Sequence, residues 1–211
     1  MARDLRPAIE SYLTRLKETI DLVSRGELEA FLELLLDALE RGATVFTMGN
    51  GGSAATASHF AVDFNKGLSY RKARRFRFVC LNDNVPTLTA YANDVGYEEV
   101  FVEQLRNLAR PGDVAIAISG SGNSPNVVKA IRYANSAGLR SVAITGYDGG
   151  ALRREAASGV HVPVADMQVT EDIHMVLDHL AYAVLGAVLP AASDAAAREG
   201  NVGRSEGGGR G

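Results

Sequence analysis

The chain has 211 residues, 46% apolar and 22% charged, with a formal net charge of -3 and a pI near 5.8. That balance describes one globular domain with a sizeable core, and it supplies no basic face of the kind bulk nucleic-acid binding needs. The single cysteine, Cys80, excludes an internal disulfide and reads as a small core residue inside the apolar run 76–81.

Neither the charged N-terminus nor the apolar segment 180–192, interrupted by Pro190, has the continuity of a signal peptide or a membrane span. A cytoplasmic protein with no membrane partner is therefore expected. Over residues 4–24, Leu5, Ile9, Leu13, Leu16, Ile20 and Val23 recur at spacings of three and four, which predicts an amphipathic helix. A leucine-rich second helix is expected over 27–41. Its apolar positions cover more than one stripe, which suggests that part of its surface meets either another subunit or the rest of this chain, and the sequence does not separate the two.

From residue 43 short apolar runs alternate with helical segments. Strands are expected at 43–48, 76–81, 113–118, 141–145 and 159–163; helices are expected near 53–66, 86–92, 98–109, 126–137, 150–157 and 171–189. Strands apolar on both sides and separated by helices predict an α/β fold with a parallel sheet covered on both faces, whose ligands bind at the carboxyl ends of the strands. The basic run RKARRFR at 71–77 reads as a solvated loop between two elements. One domain is expected over 1–190, followed by a flexible low-complexity tail at 191–211, too poor in bulky apolar residues to offset its ordering entropy.

Two loops carry the chemistry. The first, Gly49-Asn50-Gly51-Gly52-Ser53, ends a strand and opens a helix; its glycines let a ligand approach the backbone, and the helix start presents free N–H groups to an anion or a polyhydroxylated ligand. One turn apart in that helix, His59 and Asp63 share a face and suit a metal or a substrate. The second, Ser119-Gly120-Ser121-Gly122-Asn123-Ser124 before Pro125, joins hydroxyls to another helix N-terminus and makes a phosphate cradle without a lysine. No dinucleotide fingerprint and no Gly-Lys-Ser/Thr phosphate loop is present.

Near the end of the chain, Thr170 is expected to cap a helix whose first turn holds Glu171 and Asp172 and which also carries His174, Asp178 and His179. Glu171 and His179 are eight residues apart, a rise of about 12 Å, and His174 with Asp178 forms a competing pair. Spacing alone does not choose between the pairs.

Together GNGGSAATASHF, SGSGNSPNVVKAI, ITGYDGG and the acid-x-x-His-x-x-x-x-His helix resemble the sugar isomerase (SIS) domain, most closely the phosphoheptose isomerases that act on sedoheptulose 7-phosphate. The resemblance implies a three-layer α/β sandwich, a homotetramer with sites between subunits, and one zinc ion in each site. It places Asn50, Gly51, Gly52, Ser53, Asn93 and Asp94 at the sugar, and Ser119, Gly120, Ser121 and Ser124 at the phosphate. His59, Asp63, Glu171 and His179 would surround the metal. The family usually has glutamate where Asp63 stands, glutamine at Glu171 and often threonine at Gly120.

Aldose–ketose isomerisation through an enediol needs a base at the carbon acid and an acid at oxygen. Asp63 or Glu171 is expected as the base and His179 as the proton relay, with Asp63 and Glu171 also touching the sugar. The alternatives are a non-catalytic SIS protein that binds a sugar phosphate or a replication-initiator partner, and an isomerase of another phosphosugar.

Overall fold

The computed structural model describes residues 3–189, so the expected tail at 191–211 lies outside the described residues. Five short runs form the strands β1 (Thr44–Gly49), β2 (Arg77–Cys80), β3 (Val114–Ser119), β4 (Arg140–Thr145) and β5 (Ser158–His161). They pair in parallel in the order β2-β1-β3-β4-β5. Between and around them lie the helices α1 (Arg6–Leu22), α2 (Arg25–Arg41), α3 (Gly52–Val62), α4 (Val85–Asp94), α5 (Val102–Leu108), α6 (Pro125–Ser136), α7 (Gly150–Glu155) and α8 (Met167–Val188).

Alternation along the central strands creates two cores. Val114, Ile116, Ile118, Val142 and Ile144 face one side, where they pack with apolar residues of α2, α3 and α8. Ala115, Ala117 and Ala143 face the other, where the small side chains leave room for Val127, Ala130, Ile131 and Ala134 of α6. The result is the expected three-layer sandwich with a five-stranded parallel sheet.

Helix α2 buries Leu28, Phe31, Leu34, Leu35, Ala38 and Leu39, so its broad apolar circumference is largely covered within the chain. An exposed apolar row falls instead on α1, at Leu5, Ile9 and Leu13. The inner side of α1 is tied to α8 by a hydrogen bond from the Tyr12 hydroxyl to Asp172 and by an ion pair between Arg15 and Asp166 at 2.9 Å. The carboxylate partner holds the Tyr12 phenol up at about 12.

The last long helix differs from expectation in its start. Asp166, not Thr170, is the N-cap, accepting from the Val169 N–H at 3.2 Å, and Thr170 is fully buried inside the helix. Glu171 therefore stands in the second turn, on regular backbone. Helix α3 passes at Asp63 into a π-helical turn, Asp63–Leu68, a widening often found at functional positions. The basic run beyond it is mostly an exposed loop, with Arg71 at φ +58°.

Candidate active site

The strand order reverses direction between β1 and β3, and the crevice at the carboxyl end of such a switch point is where open parallel sheets bind ligands. Both glycine- and serine-rich loops leave the sheet there. Asn82 clamps the end of β1, donating to the Gly49 carbonyl at 2.9 Å and accepting from its N–H at 3.2 Å. A Cβ at Gly49 would lie 2.6 Å from the Ser53 carbonyl, and Gly51 turns the chain at φ +55°. The tight return of the loop onto α3 thus requires glycine at Gly49.

The two loops are joined by a reciprocal amide pair. Asn50 donates to Asn126 and Asn126 donates to Asn50, both at 2.8 Å, while Asn126 also accepts from the Val127 N–H at 3.0 Å. The Tyr97 hydroxyl donates to the same Asn50 oxygen at 2.9 Å. Asn126 is buried, so the orientation of Asn50 is fixed from the side of the second loop and its helix. Asn93 and Asp94, expected at the sugar, are exposed at the end of α4 and bond to each other at 2.7 Å; Tyr97 is the link from that segment to the first loop.

In the second loop the buried Ser119 hydroxyl accepts from the Gly122 N–H at 3.1 Å, and Asn123 accepts from the Ala151 N–H at 3.0 Å. Those groups build the loop. Ser124 precedes Pro125 as the N-cap of α6 but makes no side-chain cap bond, which leaves its hydroxyl and the helix N-terminus available to an anion. Ser121 accepts only locally, from the Asn123 N–H at 3.3 Å. A Cβ at Gly120 would approach the Met167 sulfur to 2.6 Å, so the glycine there makes room for the start of α8.

Helices α3 and α8 lie side by side and run the same way, as three contacts in succession show. The Glu171 carboxylate stands where a Gly52 Cβ would be, 2.4 Å from that position; the His59 and His179 rings meet with centroids 5.1 Å apart; and Tyr182 abuts Gly67. At the middle contact His59 Nε2 is 3.2 Å from His179 Nε2, 3.6 Å from an Asp63 oxygen and 4.0 Å from an Asp178 oxygen. One ligand atom from each of these four residues lies within 4.8 Å of the others. A tetrahedral ion with bonds near 2.0–2.1 Å has ligands about 3.3 Å apart, so the set suits a zinc-like cation with little adjustment.

Asp178 strengthens that fit. Its carboxylate is fully buried and neither oxygen has a hydrogen-bond partner. Burial first, and the Asp63 carboxylate second, push it up to about 7. A cation would satisfy both the orphaned oxygens and the crowded acids.

His174, one turn before it, is also fully buried, with both ring nitrogens unbonded. Burial drives it down to about 4, against a smaller opposing influence of the Thr145 backbone, which lies near the ring outside hydrogen-bonding geometry. It is a neutral core imidazole. Cys80 is likewise buried, and burial raises its thiol to about 11, which leaves it a core residue rather than a nucleophile.

The structure thus brings His59, Asp63 and His179 together as expected and adds Asp178 to them. Within the chain Glu171 stands apart from them, at the first turn of α3 beside the first loop. Asn126 and Tyr97 escaped the sequence reading, and Asp178 entered it only in a competing pair with His174. The signals for Asn126 and Tyr97 were thin: an amide directly after the helix-opening Pro125, and an aromatic three residues past Asp94.

The sequence pattern described as the SIS domain matches residues 8–146. The phosphoheptose isomerase of Geotalea daltonii is 35% identical over 180 residues, which cover 85% of this chain and 93% of that protein. That of Geobacter sulfurreducens is 37% identical over 163 residues, covering 77% of this chain and 86% of the relative. Among solved structures, a phosphoheptose isomerase from Neisseria gonorrhoeae superposes with a TM-score of 0.80 at 30% identity, covering 88% of this chain and all of the other. The chain therefore belongs to the SIS-domain family and, within it, to the phosphoheptose isomerases.

Proposed function

We propose that this chain interconverts sedoheptulose 7-phosphate and D-glycero-D-manno-heptose 7-phosphate, with a divalent ion such as zinc held by His59, Asp63 and His179. The convergence of those three groups beside a sugar loop and a phosphate loop carries the reading. The relatives' name, phosphoheptose isomerase, supplies the substrate class. Association through the exposed apolar row of α1 fits a homo-oligomer, which we take as a cytoplasmic tetramer. No helix among the described residues is long and apolar enough to cross a membrane.

In this account the Ser119–Ser124 loop and the open N-terminus of α6 bind the phosphate, and Asn50 with the backbone at Gly51, Gly52 and Ser53 orients the open-chain sugar. A carboxylate takes a proton from C1 while the C2 oxygen gains one, giving the enediol; C2 is then protonated and the O1 proton leaves, so the aldose forms with no net change in protons. Asp63 is read as the base at carbon, since the family that the chain resembles keeps a carboxylate at that position and usually has glutamine, which cannot take up a proton, where Glu171 stands. When bound, the ion supplies positive charge that favours the oxygen-bearing, electron-rich form of the substrate. His179, facing His59, is read as a holder of that ion rather than as a free proton relay.

Incubation of the full chain with sedoheptulose 7-phosphate, with and without a chelator, tests the reading. Aldose formation that the chelator suppresses supports it. Tight binding without product would place the chain with sugar-phosphate binders instead.

A further inference from the structure

We propose that Met167 is a specificity-determining residue of the phosphate cradle: its thioether takes the space that a side chain at position 120 would fill, and the pair Gly120 and Met167 sets how tightly the second loop holds a phosphate ester. The inference rests on the phosphate-binding reading of that loop given above and adds to it the residue of the last helix that shapes it.

Backbone conformation does not explain the glycine. Gly122, two residues on, turns the loop at φ +66°, and a Cβ there would meet backbone. Gly120 is not among the glycines of positive φ, so its backbone would accept an L side chain. What it lacks is room. Its Cβ would stand 2.6 Å from Met167 Sδ, 3.2 Å from Met167 Cε and 3.7 Å from Thr170 Cγ2. The chain thus trades a side chain in the loop for one on α8. Where the family often has threonine, that trade gives up a hydroxyl able to donate to a phosphate oxygen and brings in a thioether that cannot.

The surroundings pin both backbones. Asp166 caps α8 by accepting from the Val169 N–H at 3.2 Å and pairs with Arg15 at 2.9 Å, which fixes the first turn that carries Met167. On the loop side the Gly120 carbonyl accepts from the Gly146 N–H at 2.9 Å, and a Cβ at Gly146 would lie 2.4 Å from Thr170, so Thr170 is wedged against the ends of β3 and β4. Only the flexible side chain of Met167 is left to answer a change at position 120. Met167 also shares a face of α8 with Glu171, one turn further on, whose carboxylate lies at Gly52. One helix face therefore meets the second loop at Gly120 and the first at Gly52, and the partly buried thioether stands at the border between them. An apolar, polarizable wall there keeps water out of the cradle without competing for the phosphate, and leaves recognition to the Ser121 and Ser124 hydroxyls and the N-terminus of α6.

A double-mutant cycle on the full chain tests the pairing, read as the dissociation constant of inorganic phosphate by calorimetry and as KM against kcat for sedoheptulose 7-phosphate. Gly120→Thr should weaken phosphate binding about tenfold, because the loop and the thioether cannot both keep their places, and Met167→Ala about threefold, because water enters. The double variant should bind phosphate at least as tightly as the wild type, with KM moving more than kcat. Losses that simply add overturn the proposal. So does a Met167→Ala chain that melts at a lower temperature yet keeps wild-type phosphate affinity, since that is packing alone. Where Gly120→Thr does not fold, Gly120→Ala takes its place in the cycle, with the same coupling expected and the same additivity overturning it. Coupled phosphate binding in a chain that does not turn over sedoheptulose 7-phosphate sinks the isomerase reading and leaves this one standing; additive losses in a chain that does turn it over sink this one alone. If the wild type binds neither ligand, both fail.

Discussion

His59 Nε2 and His179 Nε2 face each other at 3.2 Å across two helices that are 120 residues apart in sequence. Two neutral imidazoles can meet this way only if one donates its ring proton or both give lone pairs to a shared cation. In the second case each ring is half of one unit. His59→Gln and His179→Gln should each lower turnover by two orders of magnitude or more, and the double variant should lose little beyond either single one. Additive losses in steady-state kinetics would contradict a shared role.

The Asn50–Asn126 pair crosses the switch point of the sheet, so a residue of α6 sets how the first loop presents its amide. Asn126→Ala should cost about 1–3 kcal/mol of stability, because it leaves the Asn50 amide short of a partner, and should reduce kcat/KM at least tenfold. A urea titration and steady-state kinetics check the two effects. Unchanged kinetics would show that Tyr97 alone suffices to hold Asn50.

His174 makes the metal-free protein acid-sensitive in a defined window. Its imidazole is held at about 4 when folded and returns to near 6.5 when unfolded, so below about 6.5 the unfolded chain binds the extra proton and stability falls as the pH drops toward 4. The contribution is about 3 kcal/mol across that window. Asp178, raised when folded, acts in the opposite sense between the ordinary carboxylate range and about 7, and His161 lies nearby, so the comparison is between wild type and variant. Stability of His174→Leu, measured by denaturant at pH 7 and pH 4.5, should decline less on acidification than that of the wild type. Equal declines would contradict the assignment.

Gly122 and Gly42 share a left-handed backbone but not a neighbourhood. At φ +66° a Cβ on Gly122 would lie 2.0 Å from the Gly149 carbonyl oxygen, whereas Gly42, also at φ +66°, has nothing within 4 Å. Gly42→Ala should cost about 1 kcal/mol, the backbone penalty alone. Gly122→Ala should cost more than about 2 kcal/mol and weaken phosphate-ester binding, since the loop must shift. Thermal melts and inorganic-phosphate titrations distinguish them.

The strands and most helices were legible because the apolar runs and turn signals agree with a buried parallel sheet, and the two loops announced themselves by glycine and hydroxyl density. Thr170 misled because a threonine before two acids imitates a helix start; Asp166 precedes it by four residues and captures the cap, while Thr170 is drawn into the interior. Glu171 was placed at the metal by resemblance alone. Its contact with Gly52 follows from the parallel packing of α3 against α8, a long-range register that no local pattern encodes. Asp178 was named only in a competing pair with His174, because spacing does not reveal that it is buried without hydrogen-bond partners beside His59.

Conversion of sedoheptulose 7-phosphate by the zinc-loaded full chain in D2O, followed by proton NMR, tests the proton-transfer chemistry most directly. The account predicts heptose 7-phosphate carrying deuterium at C2, formed at a rate that Asp63→Asn depresses at least a hundredfold. Absence of the aldose, or an aldose with no deuterium at C2 and a rate indifferent to Asp63, would contradict it.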